Sequence, residues 1–339
     1  MIDLRSDTVT KPTPEMLKAM TEANVGDDVL GEDETVNRFQ QKIADLFGME
    51  SGLFVPSGVM SNQLALKVLT QPGDEVIIDK NGHIYNYETG GAAFLSGVQF
   101  QTVTGNFGKL APQDLINRKR GFYDWEPDTS VLSLENSTNK GGGACYSQNE
   151  LIALTDFSKK ENLLLHIDGA RIWNAIVATG IKPSFFGQIA DTISVCFSKG
   201  LGAPVGSMLL STSKRIAQAR RYRKMWGGGM RQVGLLAAAA DYAVDNHWSL
   251  MENDHKKAQT FAEVVSNCSK LAINLEAIES NIVMFDVNSG NADQAVELLE
   301  RKGIFMVPFG PKTIRATFHF QITDDHLKEI VSITKSLFG

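Results

Sequence analysis

Cysteine is scarce in this chain: Cys145, Cys196 and Cys268 are the only three among 339 residues. They lack the short paired spacings of a metal site, so neither a disulfide-stapled scaffold nor a zinc module is expected. Reduced thiols in a cytoplasmic protein fit that usage. Positive charge is in deficit as well, with 33 lysines and arginines against 39 aspartates and glutamates, a net charge of -6. An acidic chain of this kind is not built for nucleic acid, and the one basic run, Arg220-Arg-Tyr-Arg-Lys224, is too short to change that. Long apolar runs are missing too: none reaches the roughly 18 residues of a transmembrane helix, so no membrane partner is expected. The polar opening Met1-Ile-Asp-Leu-Arg5 does not read as a signal peptide. No internal repeat or low-complexity linker divides the chain.

The chain does carry enough apolar material for two cores, with 43% hydrophobic residues in 37.1 kDa. From about residue 50 to 245, short apolar runs alternate with helical patterns. Strands are expected at Glu75–Ile78, Val98–Val103, Val131–Leu134, Leu164–Asp168, Thr192–Phe197 and Ser207–Leu210. Such alternation argues an α/β fold with a largely parallel sheet. One helix between them is well signposted: Ser147-Gln-Asn-Glu150 reads as a capping box ahead of Leu151, Leu154 and Phe157. Past residue 247 the pattern changes. A helical stretch near Ser249–Ser266 leads to strands near Val283–Val287, Ile304–Val307 and Ile314–Thr317, with helices at about 292–301 and 323–337. The expected division is a large domain over 1–247, N-terminal segment included, and a small α+β domain over 248–339.

Chemistry concentrates where strands end. The run Asp191–Ser198 closes on Lys199, followed by Gly200-Leu-Gly-Ala-Pro-Val-Gly206. A strand that ends in an amine with glycines clearing space around it suits a Schiff-base lysine, and pyridoxal 5'-phosphate (PLP) is the cofactor that needs one. PLP also needs a carboxylate that keeps its pyridine nitrogen protonated. Leu163-Leu-Leu-His-Ile-Asp168 ends in one, followed by Gly169-Ala-Arg171, and its distance of 31 residues from Lys199 is that of a single βαβ unit. A third handle is Pro56-Ser57-Gly58-Val59 opening a helix-compatible run, where free amides and the helix dipole can bind a phosphate.

With these parts in place, the chain resembles the PLP-dependent L-threonine aldolases of the β-eliminating lyase superfamily. The carrying segments are Leu4-Arg-Ser-Asp-Thr-Val9, Pro56–Asn62, Gly82-His-Ile-Tyr-Asn-Tyr-Glu88, Leu134-Glu-Asn136, His166–Arg171, Ser198–Ser207 and Gly227-Gly-Gly-Met-Arg-Gln232. They cover nearly the whole length, in order. The resemblance implies fold type I, the aspartate-aminotransferase-like architecture of a mostly parallel sheet with a small C-terminal α+β domain. It implies cleavage of L-threonine or L-allo-threonine to glycine and acetaldehyde through a glycine carbanion, in a homotetrameric, cytoplasmic lyase.

Roles carry over residue by residue. Lys199 bears the cofactor and Asp168 pairs with the pyridine nitrogen. Arg171 lies near the phenolic oxygen and the substrate carboxylate, and His83 stacks on the ring. Ser57, Gly58, Val59 and Ser198 belong to the cofactor's surroundings. Lys224 and Arg231 reach its phosphate from a neighbouring subunit, which implies an active site at a dimer interface and a dimer of dimers. Ser6, Tyr87, Glu88, Thr138, Arg171 and Arg315 are the implied substrate contacts, while Asp7 is expected to orient its loop. No metal is expected. Where the family commonly has a histidine after Glu-Asn-Thr, this chain reads Glu135-Asn-Ser-Thr138. That substitution leaves the threo or erythro preference open, and assigns the hydroxyl proton to His83, Glu88 or a water. Other reactions at the same site, β-elimination or transamination, stay as alternatives, with a non-catalytic PLP-binding protein as a remote one.

Overall fold

Seven strands form the central sheet of the computed structural model, which describes residues 1–339. The chain enters through a two-residue strand β1 (Ile2–Asp3), helix α1 (Pro14–Thr21) and helix α2 (Glu34–Phe47). Asp33 caps α2 by accepting from Val36 N, and Gly48 ends it in the left-handed region at φ 66°. There follow β2 (Ser51–Val55), α3 (Gly58–Leu69), β3 (Glu75–Asp79), the short α4 (His83–Asn86), β4 (Gln99–Val103), β5 (Thr129–Glu135) and α5 (Gln148–Lys160). The series closes with β6 (Leu164–Gly169), α6 (Ile172–Thr179), α7 (Pro183–Ile189), β7 (Thr192–Cys196), β8 (Ser207–Ser211), α8 (Ser213–Met225) and α9 (Gly234–Asn246).

The strand order is β2-β8-β7-β6-β5-β3-β4, and β8 alone runs against its neighbours. Strands β3, β7 and β8 are buried at every residue, because helices cover both faces of a parallel sheet. The capping box forms: Ser147 Oγ accepts from Glu150 N, and Glu150 Oε2 accepts from Ser147 N at 2.7 Å. Because β5, β6 and β7 are parallel, their C-terminal ends share one edge, with Glu135 the register partner of Asp168 and Asp168 that of Ser194. Open α/β sheets bind ligands at such an edge.

A second layer follows: α10 (Met251–Ser266), β9 (Leu271–Ala272), β10 (Ile282–Val287), α11 (Ala292–Glu300), β11 (Ile304–Phe305), β12 (Val307–Pro308), β13 (Thr313–Thr317) and α12 (Asp324–Phe338). Strands β12-β13-β10-β9 make a four-stranded antiparallel sheet. The segment 304–307, expected as one strand, is divided at the buried Met306. Its first half, β11, pairs in parallel with β1, and its second half, β12, pairs with β13. The N-terminal residues, expected with the large domain, lie here too: Ile2 and Leu4 sit in the C-terminal core beside Phe261, Phe285 and Phe318. The backbone makes the join, with Ile2 N donating to Gly303 O and Leu4 N to Phe305 O at 2.8 Å each. A pairing across some 300 positions leaves no local pattern to read. Its consequence is functional, since it carries Ser6 and Asp7 to the junction of the two cores. Helix α10 bridges the same junction, with Met251 in the first core and Ala258, Phe261 and Val265 in the second.

Candidate active site

The sheet edge and the N-terminal segment enclose a cleft of about 250 Å³ lined by Ser6, Thr8, His83, Tyr87, Asn139, Arg171, Lys199, Phe309 and Arg315. Lys199 follows β7 by three residues and its Nζ makes no hydrogen bond. Its backbone is fixed instead, with its carbonyl accepting from Thr10 Oγ1 and Gly202 N. Gly202 is required at φ 82°, where a Cβ would also stand 2.6 Å from the Phe320 ring.

Asp168, at the end of β6, is 2% exposed and faces no lysine or arginine. It belongs to a buried hydrogen-bond network. Asn62 Nδ2 donates to Asp168 Oδ2 at 3.0 Å and to Glu88 Oε1 at 2.9 Å, and Gln63 Nε2 donates to Glu88 Oε2 at 2.6 Å. Because the Asn62 amide nitrogen serves two carboxylates, its oxygen must face His166 Nε2, 3.2 Å away. Burial holds the His166 imidazole neutral, its pKa lowered to about 4. Nε2 then carries the proton and Nδ1 accepts from Thr192 Oγ1 at 2.9 Å. The relay locks the Asp168 carboxylate from behind.

His83 opens α4. Its backbone N donates to Glu135 Oε2 at 2.7 Å and its Nδ1 meets Glu88 Oε1 at 3.1 Å. Burial disfavours the charged imidazole, but the Glu88 hydrogen bond and the charges of Asp168, Glu88 and Glu135 outweigh it and raise the pKa. His83, Glu88 and Asp168 place ligand atoms within 4.8 Å of one another, close enough for a cation. Their lone pairs already serve the Asn62, Gln63 and His83 bonds, so the trio reads as a hydrogen-bonded network. At Glu135, burial first and then the Asp168 charge push the carboxyl up to about 7.

Two guanidinium groups form the opposite wall. Arg171 is bidentate to the fully buried Asp7, with Nε to Oδ2 and Nη2 to Oδ1 at 2.8 Å each. Asn281 Nδ2 also donates to Asp7. Arg315, on β13, donates through Nη1 to Asn139 Oδ1 at 2.8 Å and through Nη2 to Arg5 O. Arg171 Nη1 approaches the same Asn139 oxygen at 3.4 Å. Burial, then the nearby charge of Arg171, draws the Arg315 pKa down to about 10. Phe309 stands under the Arg315 guanidinium at 4.4 Å and stacks against Tyr87. Ser6 caps a short turn by accepting from Thr8 N and Thr8 Oγ1.

Ser57, Gly58 and Val59 start α3, where Ser57 Oγ accepts from Met60 N and the first-turn amides lack helical partners. A Cβ at Gly58 would stand 3.7 Å from Ser207 Oγ, a buried hydroxyl with no partner. Ser198 lies next to Lys199, 3.5 Å from Cys196 Sγ.

Not every expected residue lines the cleft. Thr138 is buried with Oγ1 donating to Phe107 O at 2.9 Å, and its neighbour Asn139 takes the place at the cleft. Glu88 lies behind His83. Lys224 and Arg231 lie away from the cleft: Arg231 pairs with Asp27, and Lys224 borders a separate cavity of about 520 Å³ with Arg220, Arg221 and Arg223. The Gly227-Gly228-Gly229 turn between them runs against Met60 in the first turn of α3. Asn62, Gln63, Asn139, Thr8 and Phe309 were not singled out as site residues in the sequence. Asn62 and Asn139 do fall within or beside the quoted segments, while nothing local marks Phe309.

A family model described as beta-eliminating lyase matches residues 3–288. The chain is 40% identical over 345 residues to a probable low-specificity L-threonine aldolase 2 of Arabidopsis thaliana, covering 99% of this chain and 97% of that one. It is 38% identical to a low specificity L-threonine aldolase of Escherichia coli (strain K12), covering 98% of each. Among solved structures, a threonine aldolase of Leishmania major superposes with a TM-score of 0.85 at 20% identity, over 99% of both chains. That last likeness concerns the fold.

Proposed function

The chain belongs to the β-eliminating lyase family, and we propose that it is a PLP-dependent aldolase that cleaves L-threonine, L-allo-threonine and related β-hydroxy amino acids to glycine and an aldehyde. The observation that carries this reading is that the unpartnered Lys199 amine and the buried Asp168 carboxylate stand at or just past the ends of adjacent parallel strands. A buried carboxylate without a cation is costly unless a ligand brings one. A protonated pyridine nitrogen fits that need. The open first turn of α3 and the orphan Ser207 hydroxyl fit a phosphate. Lys199, Asp168, Ser57, Gly58, Val59 and Ser198 would hold PLP, with His83 against its ring. PLP supplies the electron sink for bonds broken at the substrate's Cα.

The chain's own residues do the rest. Lys199 would be the residue that bears the cofactor, its amine being free of any protein partner. Asp168, locked by Asn62 and the neutral His166, keeps the ring nitrogen protonated. Arg171 and Arg315 take the substrate carboxylate, Arg171 being held by Asp7. His83 takes the hydroxyl proton on Nε2, since Nδ1 is engaged with Glu88 and the Glu88 oxygens are already committed to Asn62, Gln63 and His83. Cleavage of Cα–Cβ then leaves the electron pair on the Cα side and releases the aldehyde, and a proton returned to Cα gives glycine. The site closes as an oligomer in this reading: Lys224 and Arg231 serve the cofactor phosphate of a neighbouring subunit, in a cytoplasmic homotetramer.

Purified protein loaded with PLP should release equal amounts of glycine and acetaldehyde from L-threonine or L-allo-threonine. Pyruvate with ammonia from serine-like substrates, and no aldehyde, would transfer the assignment to β-elimination. Because the Thr138 hydroxyl is spent on Phe107 O, Thr138→Val should cost about 1 kcal/mol of stability. It should leave the ratio of rates on the two threonine diastereomers unchanged. A shifted ratio returns that hydroxyl to the substrate.

A further inference from the structure

Glu135 takes no part in the chemistry above, yet its carboxylate stands between two segments that supply the cleft. Oε2 accepts from His83 N and Oε1 from Asn139 N, each at 2.7 Å. One segment carries the imidazole, and the other is the loop that follows β5. Glu135 itself is the last residue of β5, with Asp168 beside it on β6. A single side chain therefore fixes His83 and Asn139 relative to the strand that bears Asp168.

Asn139 passes that constraint on. Its Oδ1 accepts from Arg315 at 2.8 Å and approaches Arg171 Nη1 at 3.4 Å. Two guanidinium groups repel, and a neutral amide oxygen between them offsets the repulsion without consuming either charge. A carboxylate at 139 would neutralise one arginine and compete with the substrate. We propose that Glu135 and Asn139 act in series as positioning residues: Glu135 holds Asn139 and His83 by their backbone N–H groups, and Asn139 holds Arg171 and Arg315 as one fork for the substrate carboxylate. This rests on the aldolase reading above.

The test compares wild type, Glu135→Gln, Asn139→Ala and the double variant. The readouts are kcat and KM for L-threonine, the calorimetric Kd of glycine, thermal melting, and the visible circular dichroism of bound PLP. Asn139→Ala should raise KM and the glycine Kd about tenfold or more, the scale of a lost charged hydrogen bond, with kcat within about threefold. Glu135→Gln keeps the size but turns an amide NH2 toward one of the two backbone N–H groups. It should raise KM similarly, lower kcat because His83 is freed too, and alter the dichroism. The double variant should be no worse in KM than the worse single, since both changes cut one path. Unchanged KM and glycine Kd in a folded single variant, or effects that multiply in the double, overturn the proposal. Should Glu135→Gln fail to fold, Asn139→Ala alone decides. Wild type that yields no glycine from L-threonine sinks the aldolase reading instead, and the glycine Kd series still decides the relay.

Discussion

Lys199→Ala should abolish the absorbance band of the lysine-linked cofactor and lower turnover about a thousandfold or more, while the fold survives. The first effect follows from chemistry, since no other lysine lines the cleft to replace the lost amine. The second follows from geometry. Lys199 Nζ makes no hydrogen bond, so truncation leaves no protein group stranded. The local chain is held by the carbonyl of Lys199 and by Gly202, both of which the variant keeps. The charge of Lys199 helps to keep Asp7 ionised, so a small loss at low pH is the one expected structural trace. Absorbance and turnover together decide the matter, and retention of both would remove Lys199 from the chemistry.

Asp7→Ala should be the most damaging single change apart from Lys199→Ala. Asp7 is fully buried and receives two Arg171 bonds and one from Asn281. Removing it leaves Arg171 buried, unpaired and close to Arg315, which costs about 3–5 kcal/mol. The substrate fork should loosen as well, so KM for L-threonine should rise along with the loss of melting temperature. The pH dependence has a definite sign. Burial opposes ionisation of Asp7, but the charge and hydrogen bonds of Arg171, with Lys199 and Asn281, outweigh it and lower its pKa from 3.8 to about 2. A group whose pKa falls on folding contributes stability above its unfolded value and loses it in acid. That contribution, about 2 kcal/mol, is complete above about pH 4 and disappears as pH falls through 2. In denaturant titrations from pH 5 to 2, wild type should therefore lose stability that Asp7→Asn no longer has to lose. Parallel curves for the two proteins would show that the pair is not the acid-sensitive element.

Much of the core was legible in the sequence because it is built from local signals. A run such as Val76-Ile-Ile78 is hydrophobic at every position, and Ile193–Phe197 at every position but Ser194, so each reads as a strand covered on both faces. The Ser147 cap and the Pro56-Ser57-Gly58 helix start follow from side-chain reach over a few residues. Glycine and the strand ends located Asp168 and Lys199 for the same reason. The resemblance adds expected roles that no spacing could provide, among them those of His83 and Arg315.

Other features were out of reach because their partners are distant in the chain. Nothing near Ile2 announces that it pairs with Ile304, and nothing near Phe309 announces Tyr87. Thr138 and Asn139 show the limit most clearly. Their neighbouring places in the chain say nothing about which side chain faces the cleft, and the turn sends the threonine to Phe107 O and the asparagine to the two arginines. Composition and local pattern thus determined the class of fold, the order of its elements and the residues equipped for the chemistry. Tertiary structure alone decided which of them meet, because the hydrogen bonds that join Asp7 to Arg171, Asn62 to Asp168 and Glu135 to His83 arise only when remote segments are desolvated together and must satisfy one another.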